Sequence, residues 1–192
     1  MIKAAYFIQK LKKYGFGIFT GVPCSYLKPF INHVINAHDL TYIPAANEGE
    51  AVSIASGAEL GGRPTLVMFQ NSGLGNAVNP LTSLNAISMI PVLIIVTLRG
   101  EPGGPKDEPQ HRLMGEITGQ MLDIMQIPWE YLPEKEEQID GILKRASKHF
   151  SEKNLPFALI MKKGTVEAEP LISEPQIEKS FDIKIEYDTQ TV

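Results

Sequence analysis

A single cysteine, Cys24, is all the thiol chemistry available to this 192-residue chain. No intrachain disulfide can form, so a reducing compartment is the simplest setting. Basic blocks are missing as well. Eighteen Lys and Arg stand against 22 Asp and Glu, and the net charge is −4. That excludes the electrostatic footprint of a nucleic-acid binder. Long apolar runs are absent; the longest, Ile90 to Leu98, is too short to span a bilayer. The N-terminal run Met1-Ile-Lys-Ala-Ala-Tyr-Phe-Ile-Gln-Lys carries a charge in its middle and lacks a signal-peptide layout. No His/Cys cluster has zinc spacing, so no metal ligands are expected in this chain. Together these absences predict a soluble cytoplasmic protein with no membrane or nucleic-acid partner.

What is present is ample material for one core, with 43% hydrophobic residues. Helical and strand-like segments alternate. Helical spacing covers Ile2 to Tyr14, with Ala5, Ile8 and Leu11 on one face and Gly15 as the stop. A strand over 16–20 leads to a helix over 25–37, with Ser25 as a possible cap. Further strands are expected over 41–46, 65–69, 91–97, 128–132 and 157–161. Helices are expected over 48–60, about 77–88, about 112–125 and 134–151. The strands are continuous apolar runs, as a sheet covered on both faces requires. The fold class is therefore α/β, a three-layer sandwich around a six-stranded parallel sheet. Residues 1–165 form the domain. Residues 166–192 hold seven acids, two lysines and two prolines. They read as an acidic linker or C-terminal arm.

In such a fold the loops at the carboxyl ends of strands collect on one rim, where ligands bind. Four segments fall there: Gly21-Val-Pro-Cys-Ser25, Asn47-Glu48, Gln70-Asn-Ser-Gly-Leu-Gly-Asn76, and the long loop from Arg99. Glu48 sits in the first turn of a small-residue helix, where the dipole favours a carboxylate. Read locally, it is foremost an ordinary helix-start acid behind an Asn47 cap. Glycines 73 and 75 let backbone N–H groups approach a ligand, although the segment is neither a Walker A sequence nor Gly-x-Gly-x-x-Gly. A plain strand-to-helix turn fits it as well. The loop from Arg99 to Arg112 is too rich in proline and glycine for regular structure. Its length suits either a functional lid or a solvated loop. A guanidinium leaving a buried strand end suits a multiply charged oxyanion. Cys24 reads as a small loop residue beside the site.

Four runs together resemble the thiamine diphosphate-dependent decarboxylases of the phosphonopyruvate and sulfopyruvate type. They are Thr20-Gly-Val-Pro-Cys-Ser-Tyr-Leu-Lys-Pro29, Asn47-Glu-Gly-Glu-Ala51, Gln70 to Asn76, and Arg99-Gly-Glu-Pro-Gly103 with Asp107-Glu-Pro-Gln-His111. The likeness is to the pyrimidine-binding domain, over about residues 1–165, and the last run favours the phosphonate enzyme. The resemblance implies that Glu48 hydrogen-bonds the aminopyrimidine ring of thiamine diphosphate and promotes loss of the thiazolium C2 proton. It places Gly21, Pro23, Ser72, Gly73 and Asn76 with Glu48 against the cofactor. It places Cys24, Ser25, Asn71, Arg99 and His111 against a 2-oxo acid with an anionic tail. The reaction implied is 3-phosphonopyruvate to phosphonoacetaldehyde and carbon dioxide, drawing forward an unfavourable step of phosphonate biosynthesis.

Such enzymes carry a second domain whose Gly-Asp-Gly motif holds magnesium and the diphosphate. This sequence contains no Gly-Asp-Gly. The resemblance therefore implies half of a site, completed by a beta chain or second domain that holds Mg2+ within a hetero-oligomer. The alternatives are a sulfopyruvate decarboxylase alpha subunit and a non-catalytic binding or regulatory remnant.

Overall fold

The computed structural model describes residues 1–172. Six strands form one sheet: β1 (Ile18–Gly21), β2 (Thr41–Pro44), β3 (Thr65–Gln70), β4 (Leu93–Thr97), β5 (Trp129–Tyr131) and β6 (Phe157–Met161). All pair in parallel, in the order β2-β1-β3-β4-β6-β5. The helices are α1 (Ala4–Lys12), α2 (Lys28–Asn36), α3 (Glu48–Leu60), α4 (Leu74–Asn79), α5 (Ala86–Ser88), α6 (Arg112–Ile124) and α7 (Ile139–Lys153).

The apolar strand runs bury side chains alternately on two faces. On one face Phe19, Leu66, Met68, Ile95 and Leu159 pack with Phe7 and Leu11 of α1, Phe30 of α2 and Leu143 of α7. On the other, Val67, Phe69, Ile94, Val96 and Ile160 pack with Val52 of α3, Leu74 of α4 and Leu122 of α6. A three-layer α/β sandwich results. Its strand order has a consequence for ligands. From β1 the chain moves outward to β2, then returns past β1 to β3 and continues the other way. The carboxyl ends of β1 and β3 thus flank the point where connections diverge, the usual ligand crevice of such sheets.

Several expected boundaries shift. In α1 the buried positions are Ala4, Phe7, Ile8 and Leu11, so Ala5 faces outward. Ser25 caps nothing: α2 starts at Lys28 behind Leu27, and Pro29 near its start needs no N–H partner there. The 71–76 segment is not an open loop. A 3-10 turn, Asn71–Gly73, runs directly into α4. The chain then loosens into a π-helical stretch, Pro80–Asn85, before α5. Pro80 lacks the N–H that a regular helix would use at that point.

The chain after β6 does not leave the domain at residue 166. Ile2 and Val166 form a parallel bridge. The Asn32 side-chain amide donates to the Glu169 carbonyl at 2.6 Å, and Asn36 donates to that of Pro170 at 2.9 Å. The expected acidic arm thus has its first residues laid along α2, and residues 173–192 lie outside those described. Among the described residues no helix is long and apolar enough to cross a membrane.

Candidate active site

Helix α3 begins at Glu48 for a local reason. Asn47 is extended (φ −152°, ψ 169°), and its side-chain oxygen accepts the Glu50 N–H at 3.0 Å. Glu50 reaches back to accept the Ala46 N–H at 2.6 Å. The Asn47 side chain caps the helix start and the Glu50 side chain reaches back one residue past the cap, a variant of the capping box, and a cap of this kind is worth about 1 kcal/mol. The capping work falls on Asn47 and Glu50, which leaves the Glu48 side chain for another task. It is 8% exposed. Asn76 of α4 donates to its Oε2 at 2.8 Å. Among the described residues its Oε1 accepts no hydrogen bond. A Cβ on Gly73 would lie 1.9 Å from that Oε1 and 2.5 Å from Glu48 Cγ. A side chain at residue 73 would therefore force the Glu48 side chain to move: the carboxylate rests against bare backbone.

A second cluster lies on the other side of the 71–73 turn. Arg99 follows β4 and grips Asp107 with two donors, Nε at 2.7 Å and Nη2 at 2.5 Å. Its guanidinium carbon stands 4.9 Å from the centre of the Tyr26 ring. Asp107 also accepts the Gly100 and Glu108 N–H groups and bonds His111 Nδ1 at 3.0 Å. The Arg99 guanidinium holds the Asp107 carboxyl well below the usual carboxylate range, helped by the Glu108 N–H. Asp107 in turn raises Arg99. Burial pushes the Tyr26 hydroxyl up, and the Asp107 charge adds to the effect.

From His111 the network runs back to β3. Gln70 Nε2 lies 3.4 Å from His111 Nε2 and donates to Ser72 Oγ at 2.6 Å. The Cys24 thiol donates to Gln70 Oε1 at 3.4 Å. Asn71 is fully buried. Its amide donates to the Arg99 carbonyl at 2.9 Å and to Thr118 Oγ1 at 3.0 Å. It clamps the β3 and β4 ends rather than facing the rim. The long loop is pinned by close backbone approach: a Cβ on Gly115 would lie 1.8 Å from the Gly100 carbonyl oxygen.

The site residues expected from sequence thus fall into two groups joined by one turn. Glu48, Gly73 and Asn76 meet directly. Cys24, Ser72, Arg99 and His111 belong to the second network. Gly21 lies between β2 and β3, and a Cβ there would sit 1.8 Å from the Met68 carbonyl oxygen. Pro23 and Ser25 are exposed on the loop after β1. Sequence reasoning passed over Asp107, Tyr26 and Gln70 as site residues. The one available signal was Asp107 four residues before His111.

Residues 1–122 match the family described as thiamine pyrophosphate enzyme, N-terminal TPP binding domain. The chain belongs to that family. It is 43% identical over 171 residues to a phosphonopyruvate decarboxylase of Streptomyces viridochromogenes, covering 89% of this chain and 43% of that protein. It is 34% identical over 148 residues to sulfopyruvate decarboxylase subunit alpha of Methanococcus maripaludis, covering 77% of this chain and 86% of that subunit. The fold matches a thiamine diphosphate-dependent 4-hydroxybenzoylformate decarboxylase of Rhodococcus jostii RHA1. There the TM-score is 0.66 and the identity 21%, over 93% of this chain and 34% of that one. The chain spans less than half the length of the phosphonopyruvate decarboxylase.

The Glu48 niche fits the pyrimidine end of a thiamine pyrophosphate cofactor. The carboxylate has one oxygen tied to Asn76 and one without a partner among the described residues, and Gly73 presents no side chain beside it. A buried acid of this kind can hold a proton at a ring nitrogen.

Proposed function

We infer that this chain is the pyrimidine-binding half of a decarboxylase acting on a 2-oxo acid with an anionic tail. The substrate is 3-phosphonopyruvate, and the products are phosphonoacetaldehyde and carbon dioxide. The observation that carries the reading is the buried, half-satisfied Glu48 carboxylate against Gly73, on a rim shared with Arg99. Thiamine diphosphate, when bound, supplies the electron sink for the carbon–carbon bond that breaks. Glu48 would hold a proton at the aminopyrimidine ring, with Asn76 fixing its rotamer and Gly73 giving the ring clearance. Gly21, Pro23 and Ser72 would complete the cofactor wall.

Arg99 would meet the acid's anionic tail. Two of its donors serve Asp107, and among the described residues Nη1 has no partner. Cys24 and Ser25 would line the substrate side. Asn71 would act indirectly, by fixing where Arg99 leaves β4. Magnesium and the diphosphate would be held by a beta chain or second domain bearing Gly-Asp-Gly, in a hetero-oligomer within the cytoplasm. Residues 1–165 would be the working domain and the segment after them the link toward that partner. A sulfonate substrate is the second reading. The observation favouring it is that the chain covers 86% of a sulfopyruvate decarboxylase alpha subunit, a chain of similar extent.

Purified chain with thiamine diphosphate, magnesium and phosphonopyruvate should release no aldehyde above background. Adding a Gly-Asp-Gly partner chain should yield phosphonoacetaldehyde and carbon dioxide in equal amounts. Turnover by rigorously pure single chain would overturn the half-site reading. Preference for sulfopyruvate by the mixture would move the assignment to the sulfonate.

Gly73→Ala gives an independent check. Its methyl group must displace the Glu48 carboxylate, and a misplacement of about 1 Å can cost roughly a hundredfold in rate. Turnover by the mixture should fall by that order while the melting temperature of the chain changes little. Undiminished turnover would show that the Glu48 rotamer seen here is not the working one.

A further inference from the structure

Asp107 accepts more hydrogen bonds than any other side chain in the candidate site. Its side chain is 9% exposed. It accepts two from Arg99, one each from the Gly100 and Glu108 N–H groups, and bonds His111. An ionised carboxylate only accepts. Because Arg99 keeps Asp107 ionised, His111 must carry its proton on Nδ1. In the neutral ring that leaves Nε2 as a lone pair.

The far side of the ring agrees. The Gln70 amide turns its N–H groups toward Ser72 and His111 Nε2 and its Oε1 toward the Cys24 thiol, which also lies 3.6 Å from Thr97 Oγ1. An Nε2–H would meet those donors head-on. The Asp107 end of the network selects the Nδ1–H form, and the Gln70 contacts fit it.

We propose that Asp107 is the positioning residue of this site: it fixes His111 as an acceptor through Nε2 and leaves Arg99 as the anion-binding cation of the loop. The substrate-binding part rests on the decarboxylase reading above; the tautomer part does not. The two side chains then take different chemistry. Arg99 offers Nη1, which has no hydrogen-bond partner among the described residues, to a charged tail. His111 receives a hydrogen, from Gln70 in this structure or from a proton-bearing group of a ligand that displaces it. The Asp107 charge also persists across the ordinary working range. Asp107 is depressed in the folded chain, so the stability it lends is complete above its unfolded value of about 3.9 and is lost as pH falls toward its folded value. Charging of Asp107 thus contributes no pH dependence between about pH 5 and 8.

The test uses the full chain labelled with 15N-histidine, which needs no cofactor or partner. Two-bond 1H–15N spectra near pH 7.5 distinguish the tautomers, and His111→Gln assigns the His111 signals. Native chain should show a single Nδ1–H form at His111. Asp107→Ala should shift it toward the Nε2–H form, while Asp107→Asn should keep it, because the amide oxygen is best placed where Arg99, Glu108 and His111 converge. An Nε2–H or averaged signal in the native chain would overturn the proposal. So would an Nδ1–H form that survives Asp107→Ala in a folded chain. Should Asp107→Ala not fold, the native and Asp107→Asn spectra still decide the tautomer.

A second readout addresses the substrate. In the reconstituted enzyme, Asp107→Asn should raise KM for phosphonopyruvate by about tenfold, with a smaller change for pyruvate. Equal changes on both acids would overturn the part of the proposal that concerns Arg99. If the native mixture turned over no 2-oxo acid, the functional reading would fail while the tautomer result stood.

Discussion

Glu48→Gln is expected to abolish turnover in the reconstituted enzyme while the chain still folds. The amide keeps the size of the acid and can still accept from Asn76 through its oxygen. It cannot hold a proton at a ring nitrogen, because its NH2 end only donates there. Loss of general acid–base help of this kind costs roughly 10²- to 10⁴-fold. The fold should survive because the helix start does not depend on Glu48: Asn47 accepts the Glu50 N–H and Glu50 accepts the Ala46 N–H. The paired measurements are kcat with phosphonopyruvate and the thermal midpoint of the isolated chain. A loss of activity matched by a loss of folding would mean that Glu48 acts as a structural helix-start residue.

The second large effect is expected at Arg99. Arg99→Ala removes the cation from the rim and should cost about 1.5–3 kcal/mol of binding to a charged tail. That corresponds to roughly ten- to a hundredfold in kcat/KM. The substitution also leaves Asp107 without its main partner, and the loop would relax. Pyruvate separates the two consequences, since it has no tail and registers only the loosened loop. The ratio of phosphonopyruvate to pyruvate activity should therefore fall by about the factor given, beyond any common loss. If both acids suffer equally, Arg99 is a loop brace and the anionic-tail assignment loses its support.

Local signals carried much of this site. The span of α3 is that expected from sequence, because an Asn cap and a run of small residues act within one or two turns. The parallel sheet was legible for a similar reason: strands buried on both faces are written as continuous apolar runs. Contacts between distant residues were not legible. Gly73 reads as a helix breaker, yet it stands at the start of a helix. Its reason is the Glu48 side chain, 25 positions earlier and on a different element. Asp107 reads as one acid among prolines and glycines. Its importance comes from converging donors of Arg99, Gly100, Glu108 and His111, which no periodicity encodes. Tyr26 beneath the guanidinium and Gln70 beside the imidazole were hidden in the same way.

The central claim is that the Glu48 carboxylate serves the pyrimidine of a bound thiamine diphosphate. Hydrogen–deuterium exchange at the cofactor's C2 position tests it without substrate. The measurement compares native and Glu48→Gln chains, each assembled with a Gly-Asp-Gly partner, magnesium and thiamine diphosphate. The account predicts fast exchange in the native assembly and exchange slower by roughly 10²-fold or more in the variant. Equal exchange rates in two assemblies that both bind the cofactor would contradict it.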